Sequence, residues 1–241
     1  MRRVTLVTGA NKGIGLEIAR GLADLGDTVL LGARSAERGQ EAVLQLAGEG
    51  LDVHFLQIDI TDSTSVSAAV KSITNEFGHL DCLINNAAIK LEFHPSPPSS
   101  GSMAVVRETY ETNVFGTMGI TLALLPLLRL AGSGRIVNLT SGMGSLTLAS
   151  DPDSVYSTVP LLAYSTSKSA INAFTVQLAN DLRSTGIKVN AADPGFTRTD
   201  MTKGLGSEDP KVSALVAIHL ATLPDDGPTG GLFDANGRAP W

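Results

Sequence analysis

"RVTLVTGANKGIG", residues 3–15, passes from an apolar, β-branched run directly into a turn with glycine at 9, 13 and 15. An unbroken apolar run implies a strand buried on both faces, the habit of a parallel sheet covered by helices. The pattern G-x-x-x-G-x-G lets the backbone turn tightly, approach an anion and pack the next helix on the strand. The N-terminus of that helix then favours negative charge. Gly9, Asn11, Lys12, Gly13, Ile14 and Gly15 are therefore candidate contacts of a pyrophosphate. No Lys-Ser/Thr pair follows the last glycines, so this is not the Walker loop, and the spacing also differs from G-x-G-x-x-G.

Outward from that turn, strand-like runs alternate with helical ones. "TVLLGA" leads to a helix from Ser35, and "VHFLQI" to "DSTSVSAAVKSITNEFG", with Asp62 or Ser63 as N-cap and Gly78 as stop. "LDCLIN" precedes a long helix around 104–130, and "GRIVNLT" precedes another from about Tyr164 to Ser184. "IKVNAAD", the helical "PKVSALVAIHLATL" and "GGLFDA" complete the chain. This alternation predicts an α/β fold with a doubly wound parallel sheet of about seven strands and helices on both faces. No internal repeat occurs, and the Pro/Ser-rich "HPSPPSSGS" at 94–102 is too short for a linker, so residues 1–241 are read as one domain.

Bulk properties narrow the partners. A net charge of −6 disfavours nucleic acid, which would want a basic face. The apolar stretch 114–132 is interrupted by Gly116, Gly119, Pro126 and Arg129, so a buried helix is expected rather than a membrane span. No export signal follows the two N-terminal arginines, and the single cysteine, Cys82, fits a reducing, cytoplasmic setting. The "NLT" sequon at Asn138 falls in a strand and is discounted. The four histidines have no metal-ligand spacing, so no metal is expected.

The end of the second strand, "LLGARSAERG", distinguishes between two dinucleotides. A site selecting NAD usually places a carboxylate there; this chain has Arg34, with Arg38 one turn on and Lys12 in the glycine turn. Three cations at one corner suit a 2′-phosphate, which points to NADP(H). Asp59, followed by Ile60, either accepts from the adenine amino group or helps start the next helix.

Taken in order, "TGANKGIG", "NNA" at 85–87, "TNVFGT", "TS" at 140–141, "YSTSK" and "DPGFTRTD" resemble the short-chain dehydrogenases/reductases over essentially the whole chain. "NKGIG", "GARSAERGQ", "GFTRTDM" and the terminal tryptophan look most like NADPH-dependent carbonyl reductases, with a Rossmann fold. The resemblance implies Asn113, Ser141, Tyr164 and Lys168 as catalytic residues. It also implies cofactor contacts from Asn86, Ala87, Tyr164, Lys168, Pro194, Gly195 and Thr197; Thr197 has a helix cap as its alternative role.

Chemistry makes these roles reasonable. A free phenol has a pKa of about 10, too high for easy proton exchange at neutral pH. Lys168, four residues from Tyr164, shares its helical face; a cation ~4 Å away at an effective dielectric of ~20 contributes ~4 kcal/mol, about three pKa units before desolvation. On this argument Lys168 pulls Tyr164 toward neutrality and also meets the nicotinamide ribose. Ser141 would hold the substrate oxygen, and Asn113 would position Lys168 through water. Tyr156 competes for the proton-donor role, but Pro160 stands where its lysine would be. Ala88 replaces the glycine common in "NNAG", and the Ser141–Tyr164 interval exceeds the family's usual one.

The expected activity is NADPH-dependent reduction of an aldehyde or ketone. Met143, Leu146, Leu148, Met201 and Leu205, on substrate loops near 142–163 and 196–212, suggest an apolar substrate, and 201–210 suggests a lid. Two alternatives are reduction of 3-oxoacyl groups on an acyl carrier protein and non-catalytic sensing of NADP(H). The helices at 104–130 and 164–184 suggest a homo-oligomer.

Overall fold

The computed structural model describes residues 2–241. Its sheet is built in the order β3-β2-β1-β4-β5-β6-β7-β8. In chain order these are β1 (Val4–Thr8), β2 (Thr28–Ala33), β3 (Val53–Gln57), β4 (Cys82–Asn85), β5 (Arg135–Leu139), β6 (Lys188–Ala192), β7 (Leu232–Asp234) and β8 (Gly237–Ala239). The expected seven parallel strands are present, and an eighth adds to them: β8 runs antiparallel to β7. The turn between them is Ala235-Asn236, closed by Asp234 Oδ1, which accepts from Asn236 N at 2.7 Å, and followed by Gly237 at φ 111°, a conformation that favours glycine. A three-residue antiparallel strand also blunts that edge of the sheet.

Neighbouring residues on each strand explain the two helical layers. Leu6, Leu30, Leu83 and Ile136 face one core with α3 (Ser63–Glu76), α5 (Thr117–Leu130) and α7 (Leu162–Asp181). Val7, Leu31, Ile84 and Val137 face the other with α1 (Gly13–Asp24), α2 (Ala36–Gly48) and α8 (Pro210–Ala221). Every residue of β1, β2, β4 and β5 is buried, whereas the edge strand β3 exposes His54 and Gln57. Asp62 caps α3, its Oδ1 accepting from Thr64 N at 2.9 Å, and Gly78 ends it at φ 75°. Cys82 is buried, and burial pushes its thiol up to about 12.

The long helix around 104–130 is not uniform. α4 (Met103–Tyr110) and α5 are joined by a π-helical segment, Glu111–Gly116, that contains Asn113. The run Met103–Leu130 is long and apolar enough to cross a membrane, yet 56% of its most apolar window is buried inside the molecule, as a core helix would be. The remaining helix, α6 (Leu146–Ser150), lies in the loop after β5.

A chain of buried polar side chains crosses this layer. Asn85 Nδ2 donates to Thr121 Oγ1 on α5 and to Asn138 Oδ1 on β5, both at 2.8 Å. Asn138 Nδ2 donates in turn to Thr175 Oγ1 on α7 at 2.9 Å. Asn138 is fully buried, which accounts for discounting the sequon. Because loss of one member leaves its partners unpaired in a dry layer, Asn138→Ala should cost about 2–3 kcal/mol in denaturant unfolding; a loss below about 0.5 kcal/mol would show that the chain contributes little.

Candidate active site

In this strand order the connections reverse direction between β1 and β4, opening a crevice at the carboxyl ends of the strands. The glycine turn lies on the β1 side. Gly9 has φ 64°, a conformation that favours glycine, and a Cβ there would come within 2.9 Å of Ala87 Cα. A Cβ on Gly15 would lie 2.7 Å from Gly9 O and collide with the Asn86 amide. The turn and the end of β4 are thus moulded to each other. Thr8 Oγ1 accepts from Asn86 N at 3.0 Å and Ala87 N at 3.1 Å. Asn86 Nδ2 donates to Thr8 O at 2.9 Å and Gly9 O at 3.0 Å. No side chain caps α1 and its first turn carries no acid, so its leading N–H groups are open to an anion. This cradle fits the pyrophosphate of a dinucleotide.

The cation corner differs in part from the sequence reading. Arg34 and Arg38 are both exposed, as expected. Lys12 instead pairs with Asp200 on the loop after β6, Nζ to Oδ2 at 2.6 Å, which holds that carboxyl below its usual range. Exposed pairs of this kind contribute at most about 1 kcal/mol, so a phosphate can displace Asp200. Asp59 closes a turn: its Oδ1 accepts from Thr61 N at 3.0 Å and Thr61 Oγ1 at 2.7 Å. Ile60 is buried, its side chain and carbonyl both packed against Gly116 of the π-helical segment.

On the other side, β5 delivers Ser141 and α7 delivers Tyr164 and Lys168. Lys168 is 4% exposed; its Nζ donates to Leu139 O at 2.8 Å and lies 5.6 Å from the Tyr164 ring centroid. Ser141 Oγ accepts from Met143 N at 3.3 Å, leaving its hydrogen free. Asn113 Oδ1 accepts from Ile89 N at 2.8 Å, and its Nδ2 donates to Ile89 O at 2.9 Å and Ser167 Oγ at 3.1 Å. Asn113 therefore reaches α7 through Ser167, whose hydroxyl donates to Tyr164 O at 2.7 Å, and not through Lys168 directly. A π-helical turn at this point is what re-aims the amide.

The electrostatics depart from the simple charge argument. Burial, followed by the carboxylate of Asp193, pushes the Tyr164 phenol above its ordinary value. Burial lowers Lys168 to about 8, with Asp193 opposing. Desolvation acts on both partners and outweighs their mutual attraction, a cost left out of the charge arithmetic. The phenol makes no hydrogen bond to Ser141 or Lys168 among the described residues.

Asp193, which sequence reasoning passed over, acts on both Tyr164 and Lys168. Its Oδ2 accepts from Gly142 N at 2.8 Å and its Oδ1 from Gly195 N at 3.0 Å, tying together the loops after β5 and β6. The only signal was an acid directly before Pro194. Thr197 is buried and bonded to Ser213 Oγ on α8 at 2.6 Å; it caps no helix, since Asp209 caps α8. Pro194 and Gly195 lie on the loop after β6, where Gly195 N donates to Asp193 Oδ1 and Pro194 O accepts from Thr197 Oγ1 at 3.3 Å.

The extended loop 142–163 forms a 3₁₀ turn, α6 and a second 3₁₀ turn, Val155–Thr158. Tyr156 from that second turn packs onto Gly142. A cavity of about 240 Å³ opens between Met143, Tyr156, Leu161, Leu162 and Pro98, and none of the four predicted catalytic residues lines it. Leu146 and Leu205 are more than two-thirds exposed, while Met143, Leu148 and Met201 are partly buried.

Comparison with known proteins agrees with this geometry. A family profile, short chain dehydrogenase, matches residues 3–210. Short-chain dehydrogenase anuI of Penicillium roqueforti is 39% identical over 225 residues, covering 91% of this chain and 88% of that protein. Human carbonyl reductase [NADPH] 1 is 34% identical, covering 99% and 98%. The NADPH-bound carbonyl reductase from chicken fatty liver superposes with a TM-score of 0.86 at 27% identity, covering all of both chains. The chain belongs to the short-chain dehydrogenase family, and as such it is an oxidoreductase.

The buried lysine has a measurable consequence. A lysine whose folded-state pKa is lowered to about 8 binds fewer protons than in the unfolded chain between that pH and its ordinary value. Its contribution to stability therefore improves as pH rises through that window, and the penalty is complete below it. Lys168→Met should gain roughly 1–3 kcal/mol at pH 7 by chemical denaturation and flatten the pH dependence above pH 8. A destabilised variant would show instead that the bond to Leu139 O dominates.

Proposed function

We propose that this chain is an NADP(H)-dependent carbonyl reductase, converting an aldehyde or ketone to the alcohol reversibly. The observation that carries the reading is the meeting, at the carboxyl ends of the central strands, of an uncapped glycine-turn helix with Tyr164, Lys168 and Ser141. The names of the NADPH-using relatives support the choice of cofactor, as do exposed Arg34 and Arg38 where an acid would select NAD. Gly9, Asn11, Gly13, Ile14 and Gly15 would hold the pyrophosphate, and Asn86, Ala87, Pro194, Gly195 and Thr197 would flank the nicotinamide half. Bound there, the dinucleotide supplies the hydride.

The chain's own groups manage the proton and the oxygen. Ser141 donates its free hydrogen to the carbonyl oxygen, and Tyr164 passes the proton that completes the alcohol. A phenol held above its ordinary pKa stays protonated through neutral pH, so the donor is loaded for reduction. Lys168, anchored to Leu139 O, keeps two N–H directions for the phenol and a ribose hydroxyl. Met143, Leu161 and Leu162 give the neighbouring cavity an apolar character, consistent with an apolar carbonyl substrate.

We also propose that the protein is a homo-oligomer. Phe115, Leu122 and Leu130 are exposed at 57%, 56% and 70%, and with Gly119 they form one stripe from the end of the π-helical segment along α5, opposite the residues packed on the sheet. The outer face of α7 presents Ala173, Gln177 and Asn180, small or polar residues, so α5 is the more apolar surface of the pair. A cytoplasmic location follows from the same family reading and the lone buried thiol.

Four measurements test this reading. Oxidation of NADPH against a carbonyl panel should exceed that of NADH, and Arg34→Ala with Arg38→Ala should raise the KM for NADPH about ten-fold or more; NADH preference would overturn the cofactor assignment. Tyr164→Phe should lower turnover about 10²–10⁴-fold. Reduction should be flat through neutral pH and fall only in alkali, whereas alcohol oxidation, which needs the phenolate, should rise with pH. Sedimentation should show a dimer or larger species that Leu122→Glu dissociates; a wild-type monomer removes the assembly claim.

A further inference from the structure

The first turn of the catalytic helix is held by a carboxylate from another part of the chain. α7 starts after Pro160 and Leu161, and no side chain of that segment caps it. Its leading N–H groups need an acceptor from elsewhere. Glu92, on the loop after β4, provides two: Oε1 accepts from Ala163 N at 3.1 Å, and Oε2 accepts from Tyr164 N at 2.9 Å. Two-point attachment fixes the rotation of the turn as well as its position, and one of the two points is the backbone of Tyr164 itself.

The loop that presents Glu92 is itself held on both sides. The Asn113 amide brackets the N–H and the carbonyl of Ile89. Lys203, left-handed at φ 52° on the loop after β6, lies over the Phe93 ring at 4.2 Å. Residues 89–93 therefore form a strap between the π-helical turn, the catalytic helix and the substrate loop. A serine or aspartate at the N-cap would stabilise the helix equally well; a carboxylate borrowed over 71 residues does something more, because it also sets where the helix starts relative to Asn113.

We propose that Glu92 is a positioning residue for the reaction, seating the first turn of α7 so that the Tyr164 hydroxyl points at the substrate oxygen. This rests on the reading of Tyr164 as proton donor. The carboxylate also adds negative charge at the end of the helix that carries the phenol, where the helix dipole alone would favour phenolate. Charged groups around the phenol are Lys168 on α7 and Asp193 after β6. Those around Glu92 are Lys90 on the same loop and, next to Lys90, Lys203 from the substrate loop.

Two substitutions separate reach from charge. Glu92→Gln keeps the length and loses the charge and one acceptor; Glu92→Asp keeps the charge and shortens the reach. With NADPH and a ketone that the wild type reduces, both should lower kcat about ten-fold or more, with KM and NADPH affinity within about two-fold. The alkaline limb of kcat should move to lower pH in the Gln variant, because a negative charge has left the terminus of the helix that carries the phenol, and should stay in place in the Asp variant. Wild-type kcat with an unmoved limb in Glu92→Gln overturns the proposal. So does a parallel loss of kcat, NADPH binding and thermal stability in both variants, which marks a cap that only holds the fold. Tyr164→Phe run alongside distinguishes the two levels: full turnover in that variant removes the donor reading itself, while an inactive Tyr164→Phe beside a fully active Glu92→Gln removes only the positioning role.

Discussion

Lys168 carries an ammonium group that has been taken almost entirely out of water and bound to the carbonyl of Leu139. Removing a cation from water costs several kcal/mol unless it is well paired, so the surroundings must fix α7 against β5 closely enough to make that bond dependable. They do so by polar stitching. Thr140 Oγ1 donates to Asn172 Oδ1 at 2.6 Å, Asn172 Nδ2 donates to Gly144 O at 3.0 Å, and Ser169 Oγ donates to the same carbonyl at 3.0 Å. Gly144 itself must lack a side chain, since a Cβ there would stand 2.7 Å from Lys168 Cβ. The lysine, the serine two residues beyond Leu139 and the tyrosine one turn earlier are thereby brought into one place.

The loops around the crevice are joined by the same kind of contact, a side-chain oxygen accepting from backbone N–H groups of a different loop. Thr8 does this for Asn86 and Ala87, Asp193 for Gly142 while also holding Gly195 of its own loop, and Glu92 for Ala163 and Tyr164. Each acceptor sits on or just after one strand and reaches the chain that follows another. Strand ends that are adjacent in a parallel sheet are separated by whole helices in sequence, and these links turn them into one rigid rim. A rim of this type places catalytic groups more accurately than free loops would.

Much of this is legible in residue order. Uninterrupted apolar runs announce buried strands, and β1, β2, β4 and β5 are buried throughout. Gly9, Gly13 and Gly15 announce the turn; Asp62 and Gly78 announce the ends of α3. The eighth strand leaves a local mark too, Gly237 just after the turn, but three residues are too few for a periodic pattern to register. Lys12 reads as a phosphate ligand because it sits in the glycine turn, and nothing near it in sequence reveals Asp200, its partner across the crevice.

The sequence by itself determined the class of fold and nominated the groups at the crevice, because strand burial, glycine turns and the Tyr164–Lys168 spacing are local properties. Only the tertiary structure decided the protonation balance of those groups and the company they keep. The pKa values of Tyr164 and Lys168 depend on how much water burial removes and on Asp193, 29 and 25 residues further along the chain. Desolvation is a property of the packed interior, and no spacing along a chain encodes it.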